Sequence, residues 1–305
     1  MQEPLQGLEY RHVDVFTREA LSGNGLTVFP EAGGLAPETM QLITQEMRQF
    51  ESIFLVPTPA EARRVQARVF TMEEELPFAG HPVLGAACVL HERLYYVGVA
   101  GEREAWTLEL PVGPVQVSTT RREGWYEATM DQGQPRFGAT LNAEMVSQVL
   151  AALNLKESDL YPSLPLEVVS TGLPYLLAPL ADGLERAAIV QPGFEALLAT
   201  VGAKFVYVLH VATREGRTWD NDGRVEDVAT GSAAGPAGAY LVRHELASPN
   251  EEITLHQGRF LGRPSELRVR VEGAAGDAGE AGVAGEIAAV YVTGDVRMVA
   301  RGVFE

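Results

Sequence analysis

Residues 75–81 read Glu75-Leu76-Pro77-Phe78-Ala79-Gly80-His81, and residues 226–232 read Glu226-Asp227-Val228-Ala229-Thr230-Gly231-Ser232. Each run closes on a glycine and a polar side chain, and each leads into a stretch crowded with small residues. Gly231 lies 151 residues after Gly80, close to half of the 305-residue chain. The same offset sets Glu226 on Glu75, Ser232 on His81 and Leu241 on Leu90. The spacing predicts one helix from His81 to about Glu92 and a second from Gly231 to about His244. Two such helices, opened alike half a chain apart, point to two related halves. The plainer alternative is that Gly and Ala recur because the chain is rich in them.

A helix start carries N–H groups without intrahelical acceptors and a partial positive charge, so it attracts carboxylates and phosphates. Glycine there lets a ligand approach the backbone closely. Taken alone, each glycine reads better as a mere turn before a buried helix. What singles these starts out is the polar company of His81, Asp227 and Ser232.

Outward from the two runs, strand-like and helix-like stretches alternate. Glu9–Phe16 reads as a strand, Ser22-Gly23-Asn24-Gly25 as a turn, and Leu26–Phe29 as the returning strand. Pro37 suits a helix's first turn, and Met40, Leu42, Ile43 and Met47 follow at helical spacing. Glu51–Val56 and Ala67–Thr71 read as short strands, and β-rich segments run from Tyr95 to about Met130. In the second half Asn142 is placed to cap a helix, Val168–Leu177 reads as an interrupted strand, and Phe205–Val211 as an apolar one. The stretch 273–285, biased to Gly, Ala and Glu, reads as a hairpin tip or loop.

Composition narrows the function. Apolar residues make up 46% and charged residues 21%, the profile of a folded globular protein. A net charge of −17 argues against nucleic-acid binding, which needs clustered Lys and Arg. The single cysteine, Cys88, excludes a disulfide framework, a multi-cysteine zinc site and any two-thiol mechanism. No basic leader precedes an apolar run, and Val83–Leu90 is too short to cross a bilayer, so a cytoplasmic protein without a membrane partner is expected. His12, His91, His210, His244 and His256 show no metal-ligand spacing, and no metal is expected.

Several runs together resemble the phenazine-biosynthesis PhzF-like family. They are Asp14-Val15-Phe16-Thr17 with Ser22-Gly23-Asn24, then Glu51-Ser52, then Glu75 through Pro82. Glu226-Asp227 with Thr230-Gly231-Ser232-Ala233 follows, and Gln257-Gly258 with Gly262-Arg263-Pro264-Ser265 completes the set. They occur in the family's order over nearly the whole chain. The resemblance implies an α/β (α+β) diaminopimelate epimerase-like fold, in which two pseudo-symmetric domains each wrap a barrel-like sheet around a central helix. The halves are expected at 1–121 with 286–305, and at 122–285. It further implies an active site between them, isomerase chemistry without a cofactor, and a homodimer; the helix starts at Gly80 and Gly231 lead us to expect a small carboxylate-bearing substrate.

Glu51 stands at the family's catalytic glutamate and is the expected general acid/base. On a strand it shares a face with Ile53 and Leu55, and a carboxyl on an apolar face is disfavoured in its charged form. Composition alone would make it a solvated strand-end residue. His81 and Asp227 match the family's active-site histidine and aspartate, against plainer roles as a structural imidazole and a helix-dipole complement. Gly80, Gly231 and Ser232 are the expected substrate-binding residues, although a serine at a helix start is more usually a cap. Val228 and Gly25 stand where the family usually has proline, and loss of the ring at Val228 is expected to loosen the loop carrying Asp227. Two other functions stay open: a non-catalytic small-anion binder on the same fold, and a carboxylate-based epimerase or racemase. The diaminopimelate epimerases use a cysteine pair that this chain lacks.

Overall fold

The computed structural model describes residues 5–57, 63–273 and 286–305. In chain order the first elements are β1 (Glu9–Val15), β2 (Asn24–Phe29), α1 (Pro37–Met47), β3 (Glu51–Pro57), β4 (Arg64–Thr71) and β5 (Glu75–Leu76). Next come α2 (His81–Tyr96), β6 (Arg103–Leu110), β7 (Gly113–Arg121) and β8 (Tyr126–Asp131). The remainder is β9 (Arg136–Thr140), α3 (Ala143–Ala152), β10 (Glu167–Ser170), β11 (Pro174–Leu180), α4 (Phe194–Thr200), β12 (Phe205–His210) and β13 (Glu215–Arg217), then α5 (Gly231–Arg243), β14 (Glu252–Gln257), β15 (Ser265–Gly273) and β16 (Ile287–Val303). Two compact units result: Met1–Asp131 with Thr293–Glu305, and Gln132–Val292. These divisions fall after the expected 121/122 and 285/286. The reason at the first is β8, which pairs antiparallel with β7 and so stays with the first unit.

The first unit is a closed eight-stranded barrel. Its neighbours run β1-β2-β3-β4-β6-β7-β8-β16, and β16 returns to pair antiparallel with β1, from Glu9↔Val303 to Val15↔Val296. The parallel pairs β2–β3 and β4–β6 are bridged by crossovers carrying α1 and α2. Helix α2 packs against β1, β2, β3, β6, β7 and β8, and His81–His91 is buried without interruption. A helix apolar all round belongs inside a core. Its small residues permit this: a Cβ on Gly85 would stand 2.5 Å from Leu26 Cδ2. Helix α1 covers the outer face, where Met40 and Ile43 meet Phe29, Phe54 and Phe70. The Phe29 and Phe54 rings stack at 4.6 Å. Strand β3 is therefore buried on both faces, with Phe54 under α1 and Glu51, Ile53 and Leu55 on the opposite side.

The second unit repeats this plan. Along β10-β11-β12-β13-β14-β15 the successive pairings are antiparallel, parallel, antiparallel, parallel and antiparallel. The series β1-β2-β3-β4-β6-β7 has the same senses in the same order. Helix α4 fills the place of α1 and α5 that of α2. Helix α5 packs against β10, β11, β12 and β15, and Gly231–Val242 is buried. Strand β9 pairs with β10, and α3 joins α4 over an apolar layer that includes Leu150, Val168, Phe194, Leu198 and Val206.

One side-chain device occurs in both units just before the buried helix. Phe70 pairs with Glu75 across β4–β5, and Arg68 grips Glu75 through two hydrogen bonds of 2.7 and 2.6 Å. Trp219 pairs with Glu226 in an isolated bridge, and Arg217 grips Glu226 at 2.8 and 2.6 Å. Each arginine stands two residues before the aromatic it covers, Arg68 over Phe70 and Arg217 over Trp219. The match of Glu75 with Glu226 is thus repeated in their contacts.

Several local expectations change. Helix α2 continues a turn past Glu92 to Tyr96, where its residues become partly exposed. Asn24 and Gly25, expected in a turn, open β2. Val168–Leu177 resolves into β10 and β11. Asn142 does cap α3, accepting from the Met145 N–H at 2.9 Å. The expected loop at 273–285 lies, from 274 on, outside the described residues. Among the described residues no helix is long and apolar enough to cross a membrane.

Candidate active site

Three buried polar side chains meet in the first unit, each at the beginning of an element. Glu51 opens β3, Asn24 opens β2 and His81 opens α2. The parallel pairing of β2 with β3 in the register Leu26↔Glu51 puts two of these starts at one end of the barrel. His81 Nδ1 lies 3.5 Å from Glu51 Oε2 and 3.3 Å from Asn24 Nδ2. Glu51 is 6% exposed and His81 3%, so the reading of Glu51 as a solvated strand end does not hold. Burial pushes the His81 imidazole down to about 3, which leaves it neutral at physiological pH. His81 Nε2 is buried and has no hydrogen-bond partner among the described residues. Gly80 precedes α2 as its N-cap, and no side chain caps that helix.

The second unit gathers Asp227, Thr230, Gly231 and Ser232 around the start of α5. The Thr230 hydroxyl donates to Asp227 Oδ2 at 2.6 Å. Gln257, at the end of β14, donates from Nε2 to the Asp227 carbonyl at 2.9 Å and to Thr230 Oγ1 at 3.0 Å. Its Oε1 accepts from the Thr230 N–H at 3.1 Å. The Asp227 N–H donates to the Thr218 carbonyl at 3.0 Å. Hydrogen bonds thus reach the loop on both sides of Val228.

Ser232 does not act as a cap. It sits inside the first turn of α5 with its hydroxyl 2.7 Å from that of Tyr175 on β11, and α5 has no side-chain cap. Gln132 donates to the Gly231 carbonyl at 2.9 Å and accepts from Thr171 at 2.7 Å. Sequence reasoning chose Glu51, His81 and Gly80 in one unit and Asp227, Gly231 and Ser232 in the other. It gave no role to Asn24, Gln257 or Tyr175. The first two lay inside motif runs, whereas nothing local marked Tyr175.

The remaining candidates have ordinary roles. His91 is buried and satisfied, with Nδ1 2.8 Å from Thr119 Oγ1 and Nε2 2.9 Å from the Gly101 carbonyl. His244 pairs with Glu167 at 2.9 Å. Cys88 is wholly buried, and burial pushes its thiol up, so it packs as a small apolar residue.

Comparison with known proteins adds the family. The sequence model of the phenazine biosynthesis-like protein family matches residues 13–302. The uncharacterised isomerase YddE of Salmonella typhimurium is 34% identical over 274 residues, covering 85% of this chain and 89% of the relative. The trans-2,3-dihydro-3-hydroxyanthranilate isomerase of Pseudomonas aeruginosa is 32% identical over 300 residues, covering 96% and 98%. Among solved structures, a protein of Pseudomonas aeruginosa described as a predicted epimerase superposes with a TM-score of 0.88 at 47% identity, covering 97% of this chain and 98% of that one. A probable proline racemase from Agrobacterium radiobacter, 15% identical with a TM-score of 0.65 over 97% and 92% of the two chains, shares the fold, which is of the diaminopimelate epimerase-like type. On the family match and these relatives, the chain is an isomerase that belongs to the phenazine biosynthesis-like protein family.

Proposed function

We propose that the protein is a cofactor-independent isomerase that moves a proton between carbons of a small carboxylate-bearing, unsaturated or cyclic metabolite, with Glu51 as the general acid/base. The observation that carries the reading is Glu51 itself: a buried carboxyl beside a neutral imidazole whose outer nitrogen has no acceptor among the described residues. A positioned carboxyl can take a proton from one carbon, exchange it with solvent and return a proton to another. His81 supplies a hydrogen-bond donor to the substrate. Gly80, Gly231 and Ser232 mark helix starts whose uncapped N–H groups suit a carboxylate, and Asp227 orients the substrate. The protein works as a homodimer, which its molar mass in solution tests.

The activity of the Pseudomonas aeruginosa relative is one specific form of this chemistry. The test incubates the protein in D2O with trans-2,3-dihydro-3-hydroxyanthranilate and a panel of small unsaturated and cyclic carboxylic acids, followed by NMR. Wild type is expected to wash deuterium into a C–H position of at least one acid, and Glu51→Gln to do so about 10²–10⁴-fold more slowly. Equal exchange by both proteins removes Glu51 from the role. Binding of an acid without exchange by either protein makes the chain an anion binder.

A further inference from the structure

We propose that Asn24 is a positioning residue which holds His81 as its Nε2–H tautomer, so that this imidazole meets the substrate as a hydrogen-bond donor and offers no proton to Glu51. The inference deepens the role given to His81 above and rests on that reading for its link to catalysis.

An amide nitrogen only donates, and Asn24 Nδ2 stands 3.3 Å from His81 Nδ1. Nδ1 must then present its lone pair. A neutral imidazole carries a single N–H, which falls to Nε2. That atom is the one left buried with no partner among the described residues. Such a donor is costly to leave unmet, and in a native structure it calls for an explanation. A substrate oxygen is the explanation that fits a group beside Glu51. Burial independently keeps the ring neutral, with its titration displaced to about 3. The acceptor that would otherwise claim Nδ1 is Glu51 Oε2, at 3.5 Å. Remove Asn24, and a proton on Nδ1 could turn to that carboxylate. The imidazole would then present a lone pair at Nε2, which repels a substrate oxygen, and would aim its N–H at Glu51. Asn24 thus sets the polarity of the whole ring.

The test reads the ring nitrogens directly, using ¹⁵N-histidine-labelled protein and long-range ¹H–¹⁵N spectra, with His81 assigned by its loss in His81→Gln. Wild type is expected to show a pyrrole-like Nε2 and a pyridine-like Nδ1, unchanged from pH 8 to pH 5. In Asn24→Ala the two nitrogens are expected to exchange character, and any deuterium exchange found for wild type should fall at least tenfold. Asn24→Asp, which accepts where the amide donated, should produce the same swap should the alanine variant fail to fold. A protonated Nδ1 in wild type, with the Asn24 carbonyl turned toward it, overturns the proposal. So does an unaltered tautomer in a folded Asn24 variant. Because the spectra need no substrate, a failure of the isomerase reading leaves the tautomer assignment decidable on its own.

Discussion

Burial of His81 has a thermodynamic signature that requires no substrate. In the unfolded chain the imidazole titrates near 6.5, and in the fold it titrates at about 3. Between these values the unfolded chain takes up a proton that the folded protein refuses. The contribution of the neutral ring is therefore complete above pH 6.5 and is lost as pH falls toward 3, at about 1.4 kcal/mol per pH unit. Urea denaturation of wild type and His81→Gln at pH 7, 6, 5 and 4 should show the variant gaining on wild type at about that rate below pH 6. Parallel curves would mean that His81 is protonated in the fold. At this scale the sequence singled out Glu51 and His81 through their motif runs, without saying that the two side chains touch. It could not show that both sit under 10% exposed or that Asn24 shares His81 Nδ1, since a contact across 57 residues has no local signature.

Among elements, the arginine–glutamate grip before each buried helix allows a comparison within one molecule. Arg217 and Glu226 are each 9% exposed, and Arg217 also donates to the carbonyls of Leu184, Glu185 and Ala187. Arg68 and Glu75 keep the same geometry at 32% and 30% exposure. Removing one partner of a buried pair strands the other charge and costs about 3–5 kcal/mol, whereas a solvated pair is worth about 0–1 kcal/mol. Glu226→Gln is accordingly expected to lower the melting temperature far more than Glu75→Gln, as calorimetry of the two variants would reveal. Equal losses would indicate that burial does not govern the grip. The sequence marked both glutamates by their shared offset from the glycines. It hid the arginines, because their spacing to the glutamate differs, seven residues in one unit and nine in the other. It gave no role to Gln257, which donates to the Asp227 carbonyl from the end of β14.

For the whole chain, the repeated order of strand senses is the feature that the 151-residue offset foreshadowed. Periodicity could locate the buried helices, since small residues cluster where a helix must fit inside a sheet. It could not locate the divisions between units, because pairing partners, and not composition, decide which unit a strand joins. Strand β16 makes the point, because it continues through the division between Val292 and Thr293 and gives β1 seven paired residues. Deleting Thr293–Glu305 should leave the first barrel unclosed. The expected outcome is loss of near-ultraviolet circular dichroism from its aromatic core, and a native spectrum in the truncated protein would contradict the closure.

The same pairing brings residues near the two ends together: Gly7 donates to the Phe304 carbonyl and Phe304 to the Leu8 carbonyl, at 2.9 and 3.0 Å. Joined there by a short linker and reopened between Asp131 and Gln132, the polypeptide would read each unit as one uninterrupted segment. Such a circular permutant keeps every strand pairing and is expected to fold with a far-ultraviolet spectrum like that of the parent. In that order the protein is a tandem of two copies of one design, and the divided first unit is a matter of where the ring of connections is cut.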